Sequence, residues 1–552
     1  MDKRLRALCD LAVSAVRENA GLHEYDGRIQ DLSPAGVRAG LARLDRSSPA
    51  PGSASSPAPG SASSPIPGSA SSPIPGSVSS PIPGSVSSAA PGGPGPGWSA
   101  HDEAHLAAFE ALARVELGEL EEHRWNPLLH VDAMDLSCYD REYAPAAARA
   151  EARRRHLAAW PEAVDAARES LDRVPRPVAE ALLPAVRGLA AGLDPADPVA
   201  AAAIAAHGRL VGHVERAATG GDPDAALGGP ALQRLLGVGQ AIPVDLGRLE
   251  ERADAERDRL RAMLDDACAR LAPGRPTAAV VAGLLRDHPE AVGVMEEAQA
   301  VTAEAIAFTA EHRLVPDLDG ECVVGPAPPS RRWALAMMSW AAPYEPDAPS
   351  RYYITPPEPD WPAEEQEDWL AVFSRSTLPA ITVHEVAPGH FAHGRSLRRA
   401  EGDVRRTLHS PAFVEGWAHY AEEVCVELGF RDGDPRFAAG VALEALTRVT
   451  RLAVSLGVHR SSMPMADAVR RFEADAFVYG PAAAAEATRA TYDPTYGRYT
   501  WGKLEILRLR EQARSAWGGG YSTQRFHAEL LALGAPPLGL MGDILDGTGR
   551  TG

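Results

Sequence analysis

The chain has 552 residues, 45% of them hydrophobic and 6% aromatic, enough for one large domain or two to four ordinary ones. A formal net charge of −19 opposes binding to nucleic acid or to an anionic membrane, both of which need a basic face. Cys9, Cys138, Cys268, Cys322 and Cys425 form no C-x-x-C pair, which fits a reducing compartment. No run approaches the ~18 apolar residues of a membrane span, and the opening M-D-K-R-L-R-A-L-C-D-L lacks the apolar core and cleavage site of a signal peptide. A soluble, cytoplasmic protein is expected.

Residues 1–46 read as a helix, a turn at Gly21–Gly27 and a second helix, with Leu5, Leu8, Leu11, Ala12 and Val16 spaced to dock on a larger body. From Pro51 an eight-residue unit, P-G-S-A-S-S-P-A, recurs with small changes through Ala90. Each unit carries too little apolar surface to build a core, so residues 47–97 are expected to be a disordered linker. From Trp98 the pattern is helical. Leu106, Phe109, Ala113, Leu117 and Leu120 mark one helix, closed by Asn126-Pro127, and Ala147–Trp160 and Pro177–Leu193 mark others. Leu249–Leu271 is heavily charged and reads as a long solvent-facing helix. His207 and His213 read as structural histidines. Between Pro316 and Asp360 proline is frequent, and Arg351–Thr355 has strand character. This segment is expected to line a cleft and to pair with an extended peptide as an added strand.

The stretch Ile381–Arg395 (I-T-V-H-E-V-A-P-G-H-F-A-H-G-R) brings His384, Glu385, His390 and His393 close together in sequence. A His followed directly by Glu, with a further His downstream, is how zinc hydrolases pair a metal ligand with a general base. The usual spacing between the two histidines is four residues, on one helical face. His384 and His390 are six apart, a rise of ~9 Å and a turn of ~240° on a regular helix, which would keep two imidazoles from one ion. Pro388 and Gly389 lie between them, one unable to donate the helical hydrogen bond and the other tolerant of unusual backbone angles. A bulge or kink there is expected to bring both side chains to one side.

Pro411–Glu423 (P-A-F-V-E-G-W-A-H-Y-A-E-E) carries Glu415, His419 and Glu422 at i, i+4 and i+7, one helical stripe among apolar Phe413, Val414, Trp417 and Tyr420. A buried polar stripe must be hydrogen-bonded, paired or metal-bound. Zinc hydrolases of the two-His-one-Glu type take their third ligand from a helix following the first motif, where Glu415 stands.

H-E-V-A-P-G-H, E-G-W-A-H-Y-A-E, Gly457-Val458-His459, Glu486-Ala-Thr-Arg489 and Tyr499-Thr-Trp-Gly502 leading to Arg510 follow in an order that resembles a bacterial family, domain of unknown function 885. Glu24–Ser33 is similar to the family's opening segment. The resemblance implies a mostly helical zinc peptidase, distantly similar to thimet oligopeptidase and angiotensin-converting enzyme. It implies His384, His390 and Glu415 as metal ligands, Glu385 as general base and Tyr499 as a transition-state donor. His393, His419 and Glu422 would support the ligands. His459 stands as a substrate-binding or helix-end residue, and Arg489 and Arg510 as binders of a peptide carboxylate or members of buried salt bridges. The chain departs from the family pattern at Phe391, His393, His419, Ser455 and Pro494–Tyr496.

The expected fold is mostly α, with two helical lobes flanking a cleft and few short strands. Residues 1–46 are expected to dock on a catalytic domain spanning 98–552. The expected function is a zinc-dependent hydrolase of peptide bonds, with Zn2+ as cofactor and a peptide as partner. Two alternatives stand beside it: a catalytically lapsed relative acting as a binding or scaffold protein, and a metal hydrolase of other amides or esters.

Overall fold

A computed structural model of the chain describes residues 1–48, 98–316, 318–332 and 334–546; the expected linker at 47–97 lies almost wholly outside them. The protein is mostly α-helical, with one small three-stranded sheet among the described residues. Many helices start by one local device, a polar residue followed by proline. Ser33-Pro34, Asn126-Pro127, Asp197-Pro198, Ser410-Pro411 and Asp434-Pro435 each put a side-chain oxygen on a backbone N–H of the first turn. Proline takes the first helical position, where no N–H is needed. Asn126-Pro127 therefore opens the Pro127–Met134 helix, while the preceding Ala100–Ala113 helix runs on as a π-helical turn through Glu119.

The largest core runs through residues 232–544 and packs against the helices that carry the sequence motifs. A second core is built from residues 134–214. A third joins Leu5, Leu8, Val37 and Leu44 of the N-terminal segment to Leu106, Leu117, Val404 and Leu408. The charged Leu246–Leu271 helix does not face solvent all round. It packs on the Pro435–His459 helix and buries Leu249, Ala253, Leu260 and Leu264. Those four recur at helical spacing; the density of charge between them hid the stripe. The same helix buries Glu256, which meets fully buried Lys503 at 2.6 Å, while Lys503 reaches Glu423 at 2.5 Å. Arg259 pairs with both carboxylates at 2.7 Å, so the ionic cluster ties three helices together.

In the sheet, β1 (Cys322–Pro326) pairs in parallel with β3 (Ser350–Ile354), and β2 (Ala336–Ser339) pairs antiparallel with the other edge of β3. Met338 faces Tyr352 in the register, leaving β2 as an edge strand.

Two helix crossings depend on glycine. A Cβ on Gly416 of the Pro411–Glu427 helix would lie 2.6 Å from the Cα of Gly502 on the Arg498–Trp517 helix. One on Gly502 would collide with the carbonyl of Ala412, and one on Gly440 with the carbonyl of Ser376. Backbones therefore touch where the motif helices meet. Gly502→Ala is expected to lower the unfolding free energy by about 1–3 kcal/mol through overpacking. Gly519→Ala, whose added Cβ meets nothing within 4 Å, is expected to leave it unchanged. Denaturant midpoints of the two variants make the comparison.

Candidate metal centre

The two histidines of the first motif meet because the helix stops and restarts. One helix ends at Glu385, and the next begins at His390. Between them Ala387–Pro388 is a cis peptide, and Val386 leaves the helical region at φ −105°, ψ −86°. The Gly389 N–H donates to the Val383 carbonyl at 3.2 Å, skipping the intervening turn. Any side chain at Gly389 would collide with the His384 carbonyl, so only glycine fits this fold-back. The bulge or kink expected there takes the form of a break between two helices, and both imidazoles come to one side. Trp417, from the ligand-bearing helix, donates its indole N–H to the Pro388 carbonyl at 2.9 Å and holds the loop in place.

His384 and His390 then face each other with ring centroids 4.7 Å apart. His384 Nε2 lies 3.5 Å and His390 Nε2 3.3 Å from Oε2 of Glu415. One ligand atom from each of the three falls within 4.8 Å of the others. Two tetrahedral ligands ~2 Å from one zinc ion stand roughly 3.3 Å apart, so the donor set matches a two-His-one-Glu zinc site. Glu415 Oε2 is buried without a hydrogen-bond partner, an arrangement a cation would satisfy.

The support extends outward from His384. Its Nδ1 donates to Oε1 of fully buried Glu422 at 2.7 Å, and Glu422 also meets His419 Nδ1 at 3.4 Å. Arg448 pairs with Glu422 at 3.1 Å and with Glu444 at 3.4 Å. Burial alone would raise the Glu422 carboxyl, but Arg448 and His419 hold it well below the ordinary range, so it is ionised. Burial and Arg448 push the His384 imidazole down, yet the Glu415 and Glu422 carboxylates outweigh them and raise its pKa to about 9.

Glu385 is half-buried beside this group, and its Oε2 accepts the N–H of Met338 from edge strand β2 at 2.8 Å. Tyr499 stands at the start of the Arg498–Trp517 helix, with Arg451 5.3 Å and Arg498 5.8 Å from its ring centre. Its phenol is raised by burial first and then by Glu415, partly offset by Arg489, Arg498 and Arg451, which sets it within electrostatic reach of the ligand carboxylate.

The remaining predicted residues go elsewhere. His393 packs on the rings of Phe413 and Trp417, donates from Nε2 to the Gly534 carbonyl at 3.3 Å, and is driven down to about 3 by burial. His419 keeps its place beside Glu422 with Nε2 buried and unpartnered. His459 is not free to hold substrate: Nε2 donates to the Ala490 carbonyl at 2.7 Å, and Nδ1 accepts the Leu227 N–H at 3.3 Å. Arg510 forms a bidentate pair with Glu427 at 2.9 Å and touches the Tyr420 hydroxyl, a buried structural role. Arg489 contacts Asp493 at 3.2 Å. Sequence reasoning missed Arg448, Arg451, Arg498 and the Met338 amide. A Glu444–Arg448 pair one turn apart was a usable signal for the first. A backbone N–H leaves no mark in a sequence.

Fold and site together define a mostly helical protein with a buried His-His-Glu centre. The chain belongs to the family of bacterial proteins of unknown function DUF885, whose model matches residues 99–545. No curated protein matches its sequence. Among solved structures it is similar to a protein from Shewanella oneidensis described as a "putative lipoprotein of unknown function", with 19% identity over 81% of this chain and 87% of the other, TM-score 0.66. It is also similar to one from Colwellia psychrerythraea described as a "putative lipoprotein", with 17% identity, 78% and 79% coverage and TM-score 0.62. These likenesses concern the fold.

His390→Ala is expected to lose bound zinc, while His393→Ala retains most of it, as measured by metal analysis after dialysis. A zinc-free His393→Ala alongside a zinc-loaded His390→Ala would redraw the ligand set. Because His384 is protonated below about 9 in the metal-free protein, a cation must displace that proton. Zinc affinity is therefore expected to rise roughly tenfold per pH unit between pH 6 and 8, read by chelator competition.

Proposed function

We propose that the protein is a zinc-dependent hydrolase of peptide bonds, of the broad kind to which thimet oligopeptidase and angiotensin-converting enzyme belong. The observation that carries this reading is the convergence of His384 Nε2, His390 Nε2 and a buried, unpartnered Glu415 oxygen, with Glu385 next in sequence to the first ligand. A divalent cation held by these three residues supplies a Lewis acid that polarises a carbonyl and lowers the pKa of water towards ~7.

The residues around it divide the remaining work. Glu422 accepts the Nδ1 proton of His384, which fixes the tautomer and leaves Nε2 as the donor atom. Met338 satisfies Oε2 of Glu385, so Oε1 is the oxygen left to accept a proton from the attacking water. The water oxygen bonds to the scissile carbonyl carbon, the carbon–nitrogen bond breaks, and Glu385 returns the proton to the leaving amine. Tyr499, with no hydrogen bond to its hydroxyl among the described residues, donates to the developing oxyanion. The departures at Phe391 and Ser455 are in the packed interior.

Glu385→Gln is expected to keep its zinc and to lose ~10²–10⁴-fold in turnover, because an amide of the same size cannot accept the proton. Glu415→Gln is expected to weaken zinc binding itself. Zinc content and digestion of a peptide library test both. Near-wild-type turnover by Glu385→Gln would remove the proposed base. A zinc-loaded wild type that cuts no peptide would favour the lapsed or non-peptide readings.

A further inference from the structure

The two candidate histidine ligands are held in different ways. His384 is fixed by the hydrogen bond from Nδ1 to Glu422 at 2.7 Å. His390 Nδ1 is buried and has no hydrogen-bond partner among the described residues. A metal-bound imidazole is ordinarily oriented by the bond its second nitrogen makes, so the His390 ring must be set by what packs against it. The rings of His384 and Trp340 do so, with centroids 4.7 and 6.0 Å away. Trp340 follows directly on strand β2, two residues after the Met338 amide that binds Glu385. Gly394, one turn beyond His390 on the same helix, makes room for it: a Cβ there would lie 2.9 Å from the Cβ of Trp340.

Trp340 is itself held by the N-terminal segment. Its indole N–H donates to the Asn19 carbonyl at 3.3 Å. Its own carbonyl accepts from Arg141 at 3.0 Å, and Arg141 also donates to the Glu18 carbonyl at 2.5 Å. The residues that follow are bound to the same stretch. The Tyr344 N–H donates to the Ala20 carbonyl at 3.0 Å, while Glu345 meets His23 Nε2 at 2.9 Å and pairs with Arg141. Gly21, at φ +79°, sits so close that a Cβ would lie 2.8 Å from the Glu345 side chain and 3.0 Å from Ala342. Residues 18–23 therefore grip residues 340–345 from end to end. They do so from ahead of residue 99, where the match to the family model begins.

Resting on the metal-centre reading above, we infer that Trp340 is the positioning residue of His390 and that residues 18–23 set it, so that the N-terminal segment governs metal affinity from outside the ligand set. An imidazole without a hydrogen bond on Nδ1 turns about its side-chain bonds unless a neighbour blocks it. Each orientation that points Nε2 away from Glu415 is a state that holds no metal. A wall that removes such states raises affinity without adding a contact to the ion. Trp340 is that wall, and the Asn19 carbonyl fixes the wall in turn. The coupling is reciprocal: whatever holds His390 in place also favours the docked segment.

The test uses the full-length protein with Zn2+ and Co2+ as probes. Zinc affinity is read by chelator competition, and ligand geometry by the visible absorption of bound Co2+. Trp340→Ala is expected to weaken zinc binding about tenfold or more and to alter the cobalt spectrum. Trp340→Phe, which keeps a ring but loses the N–H that reaches Asn19, is expected to fall between it and wild type. Gly21→Val, whose added side chain meets Glu345 and Ala342 rather than Trp340, is expected to shift affinity and spectrum in the same direction as Trp340→Phe. In wild type, zinc is expected to slow amide hydrogen exchange in residues 18–23. Unchanged affinity and spectrum in Trp340→Ala overturn the inference. So does weakened binding in Trp340→Ala with Trp340→Phe and Gly21→Val both like wild type, since Trp340 would then act without the N-terminal segment. Zinc that binds wild type and leaves exchange in residues 18–23 unchanged overturns it as well, and this measurement decides even if the variants misfold. Those failures leave the metal centre standing. A wild type that binds neither ion removes the metal-centre reading and this inference with it.

Discussion

The centre depends on one fully buried carboxylate, Glu422. An uncompensated charge at that depth would cost several kcal/mol, and removing one partner of such a pair is typically worse than never having built it. Arg448 supplies the compensation with contacts of 3.1 and 3.2 Å, and Glu422 spends its remaining capacity on His384 and His419. The result is a fixed imidazole. Two turns earlier on the same helix stands Glu415, so a single rigid element carries one member of the His-His-Glu group and aligns another.

The loop between the two histidines completes the arrangement from the other side. Trp417 belongs to the ligand helix, yet its indole N–H is spent on Pro388, between the first and second histidine. The E-G-W sequence therefore reads as three consecutive tasks: a candidate ligand at Glu415, a bare crossing point at Gly416, and a clamp at Trp417. Neither helix could be shifted along its axis without breaking one of them.

Much of this was legible in the chain. His384, Glu385, His390 and Glu415 announce themselves by residue type and spacing, and Glu422 and His419 by their helical stripe. The break at Pro388-Gly389 was readable as an irregularity, but its form depends on a backbone contact between Gly389 and Val383 that no propensity encodes. The Leu246–Leu271 helix was misjudged because surface charge outnumbers its buried leucines. Its burial is decided by the facing Pro435–His459 helix, not by its own composition. Arg489 illustrates the same limit. Its residue type suggested an anion, and the structure shows that anion to be Asp493, which Arg498 holds more closely.

The crossing at Gly416 and Gly502 also governs how the molecule can move. Helices that meet through interdigitated side chains can slide past each other by exchanging rotamers, the small shear steps from which many domain closures are built. Helices that meet backbone to backbone have no such play. The frame that carries Glu415, Glu422 and Tyr499 therefore travels as one piece, and its internal distances stay constant whatever the rest of the chain does. The small sheet is tied to this frame at one edge, where the Met338 amide of β2 donates to Glu385.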